Sequence, residues 1–465
     1  MLSLIIRKEI VHNVLSFRFV VTYALLFCLV LLSLLFMGSS YRTRFREYTT
    51  AVAEQRAKVA ELDKIDDPSK LFQQFQQTSF SGVREPHRLS LLALGLDDVL
   101  PSQVPGSGWM RYISGDERLS ANLLFRLFQA PDFAYVVNVV MSLLALLFVF
   151  DSVCGEKEQG TLKLLLSCSV PRDTVLAGKW IGGFLCVAVP FLVAGLAGYI
   201  YGNVSGALDG PGAGPRYLSV YLVSLLYVSA CFTLGLMIST LVHRSATALL
   251  VCLMVWVCWI LVVPNVAPVT ARLLAQVPGR QVIEAEKQAI EREGNLLNQA
   301  ISKRKVYGDQ QEGERIQQET TRRQQKLEAF YQDRMQAQVS LTQNLARISP
   351  SASYLFAVTR LAGTGPELGA AFQQARERYQ DEHTKRIRDL YSTLYESGRL
   401  TWDNNGPHLK DRDWFQPDDL PRFRMVAEDL STSLTQAAFD LLLLAVYNVL
   451  FFMLAYVFFL RYDVT

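Results

Sequence analysis

The chain has 465 residues, of which 50% are hydrophobic and 19% charged, with a formal net charge of +3 at pH 7. This mixture is too apolar for an ordinary soluble protein and too charged for a chain that lies wholly in a membrane, so it predicts apolar spans joined by polar regions. The small net charge, with no basic cluster interleaved with aromatic residues, excludes nucleic acid as a partner.

Six apolar stretches are long enough to cross a bilayer, which takes about 20 residues of helix. None carries a charge near its middle. Residues 1–18 are amphipathic and precede the first stretch, which favours an interfacial helix followed by an uncleaved membrane anchor. The predicted transmembrane helices are 19–37, 133–150, 181–201, 218–241, 246–263 and 437–460.

Lysine and arginine residues in the short loops predict the orientation of the spans. They lie before the first span, between the second and third, between the fourth and fifth, and after the sixth, which places them all on one side. These residues are Arg7, Lys8, Arg18, Lys157, Lys163, Arg172, Lys179, Arg244 and Arg461. Both termini, with the tail 461–465, are therefore predicted to be cytoplasmic, and the polar regions 39–132 and 265–433 extracytoplasmic.

The first polar region, 39–132, is predicted to begin as a charged helix that runs to about Lys64 and breaks at Asp66-Asp67-Pro68. It turns irregular around residues 101–106. The pair Pro131-Asp132 suits the start of the second span, because aspartate accepts free helix N–H groups and proline tolerates the first turn.

The loop 151–180, between the second and third spans, carries Glu156, Lys157 and Glu158 ahead of Gly160 and a leucine run. A short helix with charges at one end and leucines along it fits a groove of a partner protein, where its carboxylates would meet basic residues. On these residues alone, an ordinary loop at the membrane surface is the alternative.

The second polar region has apolar residues at heptad spacing, Ile283, Ile290 and Leu297, and then a break at Tyr307-Gly308-Asp309 before a second charged run to about Gln343. This pattern predicts two long helices packed against each other. The pair would serve either as a solvated scaffold or as a coiled coil that binds a partner.

The end of the second polar region has two further features. Residues 354–361 are amphipathic and are expected either to lie on the outer membrane surface or to pack on the helices. The stretch with Trp402, Trp414 and Pro417 is expected to be an ordered loop near the interface.

Motifs of nucleotide, hydrolytic and metal chemistry are missing from the sequence. It contains no GxxxxGK[ST], HExxH or GxSxG, and its seven cysteines and five histidines lack metal-ligand spacing. No catalytic residue, cofactor or metal site is therefore predicted, and the chain is not expected to hydrolyse ATP by itself.

Polar residues within the spans are candidates for a translocation path, because burying them in lipid is costly. They are Asn138 and Ser142 on the second span and Asp440 and Asn448 on the sixth. The alternative is that Asn and Ser only bond neighbouring helices and that Asp440, near the outer end, reaches water.

Two motifs resemble those of type-2 ATP-binding-cassette permeases, the exporter-like membrane subunits. The first is Glu156-Lys157-Glu158-x-Gly160-Thr161-Leu162, followed by Leu165-Leu166 and Pro171-x-x-x-x-Leu176-x-Gly178-Lys179. The second is Ile6-Arg7-Lys8-Glu9-Ile10, which is similar to the membrane-surface helix of the family. Ile348-Ser-Pro350-Ser351 resembles the family's stretch before the last span.

The resemblance implies two permease subunits, identical or paralogous, each bound to one ATPase that carries ATP and magnesium. Residues 156–166 would be the coupling helix inserted into the ATPase. Glu156 and Glu158 would make polar contacts beside Thr161, and Gly160 would permit the bend into the helix. The groove would be filled by Leu162, Leu165 and Leu166. Polar regions of about 95 and about 170 residues resemble those of long-loop permeases of copper-enzyme maturation or gliding machinery.

The sequence thus predicts a mostly α-helical, six-helix transmembrane permease with an amino-terminal interfacial helix and two large extracytoplasmic, mainly helical insertions that pack on each other. Its expected function is to couple ATP hydrolysis by a separate subunit to substrate extrusion across a bacterial inner membrane. Two alternatives stay open: a mechanical transmitter that drives an extracytoplasmic partner without transport, and a membrane scaffold or receptor.

Overall fold

The structure is a computed structural model that describes residues 2–106, 132–167, 170–204, 206, 208, 210, 212–302, 309–403, 406–426 and 428–461. The chain divides into two compact units, one formed by Met1–Trp256 with Ser353–Thr465 and the other by Val257–Ala352. The chain is mostly helical, as predicted. Among the described residues, six helices are long and apolar enough to cross a membrane: Phe19–Asp63, Phe133–Glu158, Arg172–Val204, Ala213–Leu241, Ser245–Leu274 and Leu430–Leu460.

The helices in chain order are α1 (Leu2–Val14), α2 (Phe17–Asp63), α3 (Pro68–Gln77), α4 (Ser142–Val149), α5 (Cys154–Glu158), α6 (Thr161–Ser167), α7 (Arg172–Val204), α8 (Ala213–Leu241), α9 (Ser245–Val257), α10 (Val263–Leu274), α11 (Arg280–Ser302), α12 (Asp309–Ala346), α13 (Pro350–Ala362), α14 (Pro366–Glu396) and α15 (Leu430–Leu460). The turn Phe133–Tyr135 and the π-helical Val136–Met141 lead into α4, and the π-helical Cys258–Val262 joins α9 to α10. Short 3-10 turns occupy Arg88–Leu91 and Pro417–Asp419.

All six predicted spans fall within these apolar helices. The first differs most from its predicted bounds, because α2 runs for 47 residues without a break between its apolar and charged halves. At a rise of 1.5 Å per residue, α2 is about 70 Å long, roughly twice the thickness of a bilayer core.

The helix boundaries predicted from aspartate and proline agree with the structure. Asp67 precedes α3, and its Oδ1 accepts the Ser69 N–H at 3.0 Å. Asp132 starts the second span, where Oδ1 accepts the Tyr135 N–H and Oδ2 the Leu94 N–H, both at 2.7 Å. Pro131 lies outside the described residues.

Helix α8 lies at the centre of the first unit, and its polar side chains bond to the helices around it. Tyr217 donates to the Gly195 carbonyl of α7 at 2.8 Å, and Ser224 and Tyr354 of α13 are 3.0 Å apart. Because hydrogen bonds between helices satisfy groups that lipid cannot, these contacts hold the bundle together.

Residues 62–75 of the first polar region and 394–415 of the second share an apolar core. Phe72 and Phe75 of α3 stack edge-on against Trp414, at ring distances of 5.5 Å. The buried members of this core are Leu62, Leu71, Phe72, Phe75, Leu394, Leu400, Leu409, Trp414 and Phe415.

Residues 354–361 belong to α13, and of the two predictions for them the place on the membrane surface is wrong. Tyr354, Phe356 and Leu361 are all at most 1% exposed, so the helix does not lie on the membrane surface. Tyr354 stacks on Tyr227 of α8 with ring centroids 4.5 Å apart. The helix therefore packs among the others, with its polar residues Thr359 and Arg360 buried as well.

Two short hairpins were not predicted. Strand β1 (Ser81–Val83) pairs antiparallel with β2 (Gln103–Pro105), and β2 lies within the stretch expected to be irregular. Strand β3 (Leu400–Asp403) pairs with β4 (Gly406–Leu409), in the stretch expected to be a loop. Strands this short give no alternating pattern long enough to detect.

The second unit contains the predicted pair of long helices, α11 and α12, which are antiparallel. Lys287 Nζ is 2.5 Å from Glu328 Oε2, and Arg323 NH1 is 3.5 Å from Glu293 Oε2. Of the heptad residues, Ile283 is buried and Leu297 is 48% exposed. The apolar side chains of α11 are thus buried near Ile283 and exposed near Leu297. The predicted break at residues 307–308 lies outside the described residues.

Candidate functional site

The loop between the second and third spans is built from two short helices rather than from the single helix predicted over 156–166. Helix α5 ends at Glu158 and α6 begins at Thr161. Between them, Gly160 has φ +73°, a conformation that costs side-chain-bearing residues about 1–2 kcal/mol. Gly160 therefore supplies the bend between the helices.

Glu156 lies in a cluster of four charged side chains that joins this loop to α1 and α7. Its Oε1 is 2.9 Å from Lys179 Nζ and 2.9 Å from Lys8 Nζ. Lys179 also reaches Glu9 Oε1 at 3.1 Å and donates to the Ser152 carbonyl at 2.9 Å. We call Lys8, Glu9, Glu156 and Lys179 the charge cluster.

Two glycines allow α1 to lie directly against α7 at this cluster. A Cβ at Gly178 would come within 2.7 Å of Ile5, and a Cβ at Gly182 within 2.8 Å of the Glu9 Cβ. The two glycines are one helical turn apart and so form a flat strip on α7. This close approach brings Glu9 to Lys179.

The electrostatics of the cluster shift the pKa values of Lys8 and Glu156 in the directions that favour their charged forms. Burial by itself lowers the pKa of Lys8, but the hydrogen bond and charge of Glu156 outweigh it and raise that pKa above 10.5. The Lys179 side chain is 2% exposed and faces two carboxylates. A lysine this deep is stable only while its counter-charges remain, so the cluster holds α1, α5 and α7 together.

Lys157 and Glu158 bond to the turn between the fourth and fifth spans. Lys157 Nζ donates to the carbonyls of Thr240 and Val242, the latter at 3.3 Å. Glu158 Oε2 accepts the Ser245 N–H at 3.0 Å and the Ser245 hydroxyl at 2.8 Å. Each charged residue of the Glu-Lys-Glu motif thus has a partner within its own chain.

Helix α6 presents a different set of leucines from the one predicted to fill a partner's groove. Leu162 is fully buried in the core of the first unit, so it is not available to fill a groove of the ATPase. Leu165 is half-buried. Leu164 is 70% exposed, beside the exposed Thr161. The side chain of Leu166 lies outside the described residues.

The residues predicted for a translocation path fall into separate sets of contacts, and Asn138 and Ser142 bond to each other, where the Ser142 hydroxyl donates to the Asn138 carbonyl at 2.5 Å. Ser142 accepts the Trp256 indole N–H at 2.9 Å, and the Asn138 carbonyl accepts the Tyr227 hydroxyl at 3.1 Å. Asn448 instead bonds to Ser229 of α8 at 2.7 Å. These contacts are those of residues that join neighbouring helices.

Asp440 does not reach water, which was the alternative to a place in a translocation path. Its side chain is fully buried, and Oδ2 lies 2.5 Å from NH1 of Arg360, whose Nε donates to Glu367 at 2.8 Å. Arg360 was not singled out from the sequence, since a lone arginine in an amphipathic stretch does not indicate its partner.

The sequence match covers nearly the whole chain: residues 3–464 match the family described as ABC-2 family transporter protein. A stretch of 60 residues, 13% of this chain, is 40% identical to 22% of the "Probable ABC transporter permease protein NosY" of Stutzerimonas stutzeri. A stretch of 58 residues, 12% of this chain, is 43% identical to 21% of the protein of the same name from Pseudomonas aeruginosa. The chain spans only about a fifth of the length of these curated relatives.

On the strength of the family match, the chain belongs to the ABC-2 family of transporter proteins and is a membrane permease subunit that has no ATPase activity itself.

Proposed function

We propose that this permease subunit carries a separate ATPase on α6 and pairs with a second copy of itself or with a paralogous permease. The observation that supports this most is the two-sided character of the loop between the second and third spans. One side presents the exposed Leu164, while Glu156, Lys157 and Glu158 bond to other elements of the chain.

In this proposal the ATPase binds ATP and magnesium, and its closure moves α6. The charge cluster passes that motion to α1 and α7, because a buried ion pair resists separation more than an exposed one. The apolar residues of α1 that are exposed, such as Leu4 and Val11, rest on the membrane surface. The substrate then moves outward along a path between the two permease copies.

Both termini and this loop are proposed to be cytoplasmic, with the two polar regions outside a bacterial inner membrane. Contacts among the short basic segments support one common side: Lys8 bonds to Glu156, and Arg172 NH1 donates to the Leu460 carbonyl at 2.7 Å. Short loops rich in lysine and arginine remain in the cytoplasm.

A mechanical role without transport is the second candidate, and α2 favours it. This single helix begins at Phe17 and contains the first span. It ends at Asp63, next to Leu62, which belongs to the apolar core of the polar regions. Because the helix is unbroken between the span and this core, a tilt of the span would be carried to an extracytoplasmic partner protein.

Copurification tests the proposed ATPase site. Tagged wild type, Leu164→Arg and the matched control Leu296→Arg would be purified in detergent and scored for a bound ATPase and its ATP turnover. Leu164 and Leu296 are 70% and 66% exposed, so neither change should disturb packing. We expect wild type and Leu296→Arg to retain the ATPase and Leu164→Arg to lose it. An ATPase that stays bound to Leu164→Arg would place the docking surface elsewhere.

A further inference from the structure

We infer that Lys157 and Glu158 form a clamp that makes the fourth and fifth spans follow the loop between the second and third. The inference rests on the proposed function, because it takes the motion of α6 as its input. It assigns these two residues to positioning within the chain and not to contact with the ATPase.

The geometry of the clamp matches the charges of two helix ends. Helix α8 ends at Leu241, and Lys157 binds the carbonyls of Thr240 and Val242 there. A helix carboxyl end carries partial negative charge and leaves carbonyls without partners in the helix, so a lysine there is favourable.

Glu158 completes the clamp at the next helix. Helix α9 begins at Ser245, whose N–H would otherwise lack a partner within the helix. Glu158 accepts that N–H and the Ser245 hydroxyl, at 3.0 and 2.8 Å. A carboxylate at a helix amino end is stabilised by the partial positive charge there.

A third contact ties the start of α5 to the same turn. The hydroxyl of Ser239, which is buried, accepts the N–H groups of Val153 and Cys154 at 3.0 and 3.1 Å. Helix α5 is therefore bonded to the turn at both of its ends. Because the bonds converge on residues 239–245, α5 and this turn should move as one body.

Hydrogen exchange in the purified ATPase complex, with and without ATP, tests the clamp. Glu158→Gln removes the charge and weakens the cap, and Glu396→Gln is the control, since Glu396 is exposed on α14. Loss of the negative charge at the helix amino end costs up to about 1 kcal/mol, or roughly fivefold in exchange rate. We expect the amides of residues 245–248 to exchange about fivefold faster in Glu158→Gln, with the ATPase still bound and the control unchanged.

The double variant Glu158→Gln/Arg244→Asp separates capping from the tether. An aspartate at position 244 would cap α9 from within the turn, so protection at 245–248 should return. The ATP-induced change in exchange at these amides should be present in wild type and absent from both variants. If the ATP response returns with the local cap alone, the tether does not carry the motion and the inference is wrong.

The remaining outcomes also decide the question. If wild type retains the ATPase and Glu158→Gln loses it, Glu158 is an ATPase contact; the inference is then overturned and the proposed function stands. If wild type retains no ATPase, the proposed function fails and the inference fails with it.

Discussion

The Oε1 atom of Glu156 lies 2.9 Å from the Nζ atom of Lys179, so the loop after the second span is bonded to the third span through a nearly buried ion pair. The two residues belong to one sequence motif, and each reaches α1 as well, through Lys8 and Glu9. An acidic residue expected to face a partner protein instead connects three elements of its own chain. This connection suits the transmission of motion that we propose for the loop.

Lys179→Met should destabilise the protein far more than Lys8→Met. The Lys179 side chain is 2% exposed and its loss leaves Glu9 and Glu156 without their buried counter-charge, a change that costs about 3–5 kcal/mol. The Lys8 side chain is 55% exposed, so its removal should cost about 1 kcal/mol or less. Thermal unfolding in detergent measures both, and equal losses would contradict the central place of Lys179.

Arg360→Met should destabilise the first unit more than Asp440→Asn does. The first change removes the arginine beside a carboxylate that is fully buried, whereas the second leaves Arg360 with Glu367 at 2.8 Å. Breaking a buried pair from one side costs about 3–5 kcal/mol. Unfolding temperatures of both single variants and of Arg360→Met/Asp440→Leu check this, and the double variant should recover part of the loss. Full stability in Arg360→Met would show that the pair is not structural.

Asp132 should make stability depend on pH. Burial raises the pKa of Asp132 from 3.8 to about 7, against the hydrogen bonds from Leu94 and Tyr135 that lower it. Folding thus favours the protonated form, so this contribution to stability is complete below about pH 4 and is lost as the pH rises through 7. The unfolding temperature of wild type should fall between about pH 4 and 7 relative to Asp132→Asn. Parallel curves for the two proteins would contradict the shift.

Two exposed leucines report the orientation in cells. In the proposed topology, Leu164→Cys lies in the cytoplasm and Leu296→Cys outside. A membrane-impermeant maleimide should label Leu296→Cys in intact cells above the wild-type background, and Leu164→Cys only after lysis. Labelling of Leu164→Cys in intact cells would reverse the orientation.

Much of the fold could be predicted from local sequence. Spans follow from runs of apolar residues, and the starts of α3 and the second span follow from Asp67 and Asp132, because each signal acts within one helical turn. The heptad spacing of Ile283 and Ile290 likewise predicted the paired helices of the second unit.

The site could be predicted only in its position along the chain. Whether Glu156 faces a partner or Lys179 depends on how α1 packs against Gly178 and Gly182, which is a tertiary contact. A run of leucines has no polar face, so it does not indicate that Leu162 is buried and Leu164 exposed. The structure brings Arg360 and Asp440 together from separate helices, and no local pattern marks such a pair.

Site-specific photo-crosslinking is the most direct test that α6 carries the ATPase. A photoreactive amino acid would replace Leu164 in one protein and Leu296 in another, both expressed with the native partner subunits. We expect an ATP-sensitive adduct between position 164 and the ATPase, and none from position 296. An adduct with the ATPase from position 296 but not from 164 would contradict this expectation.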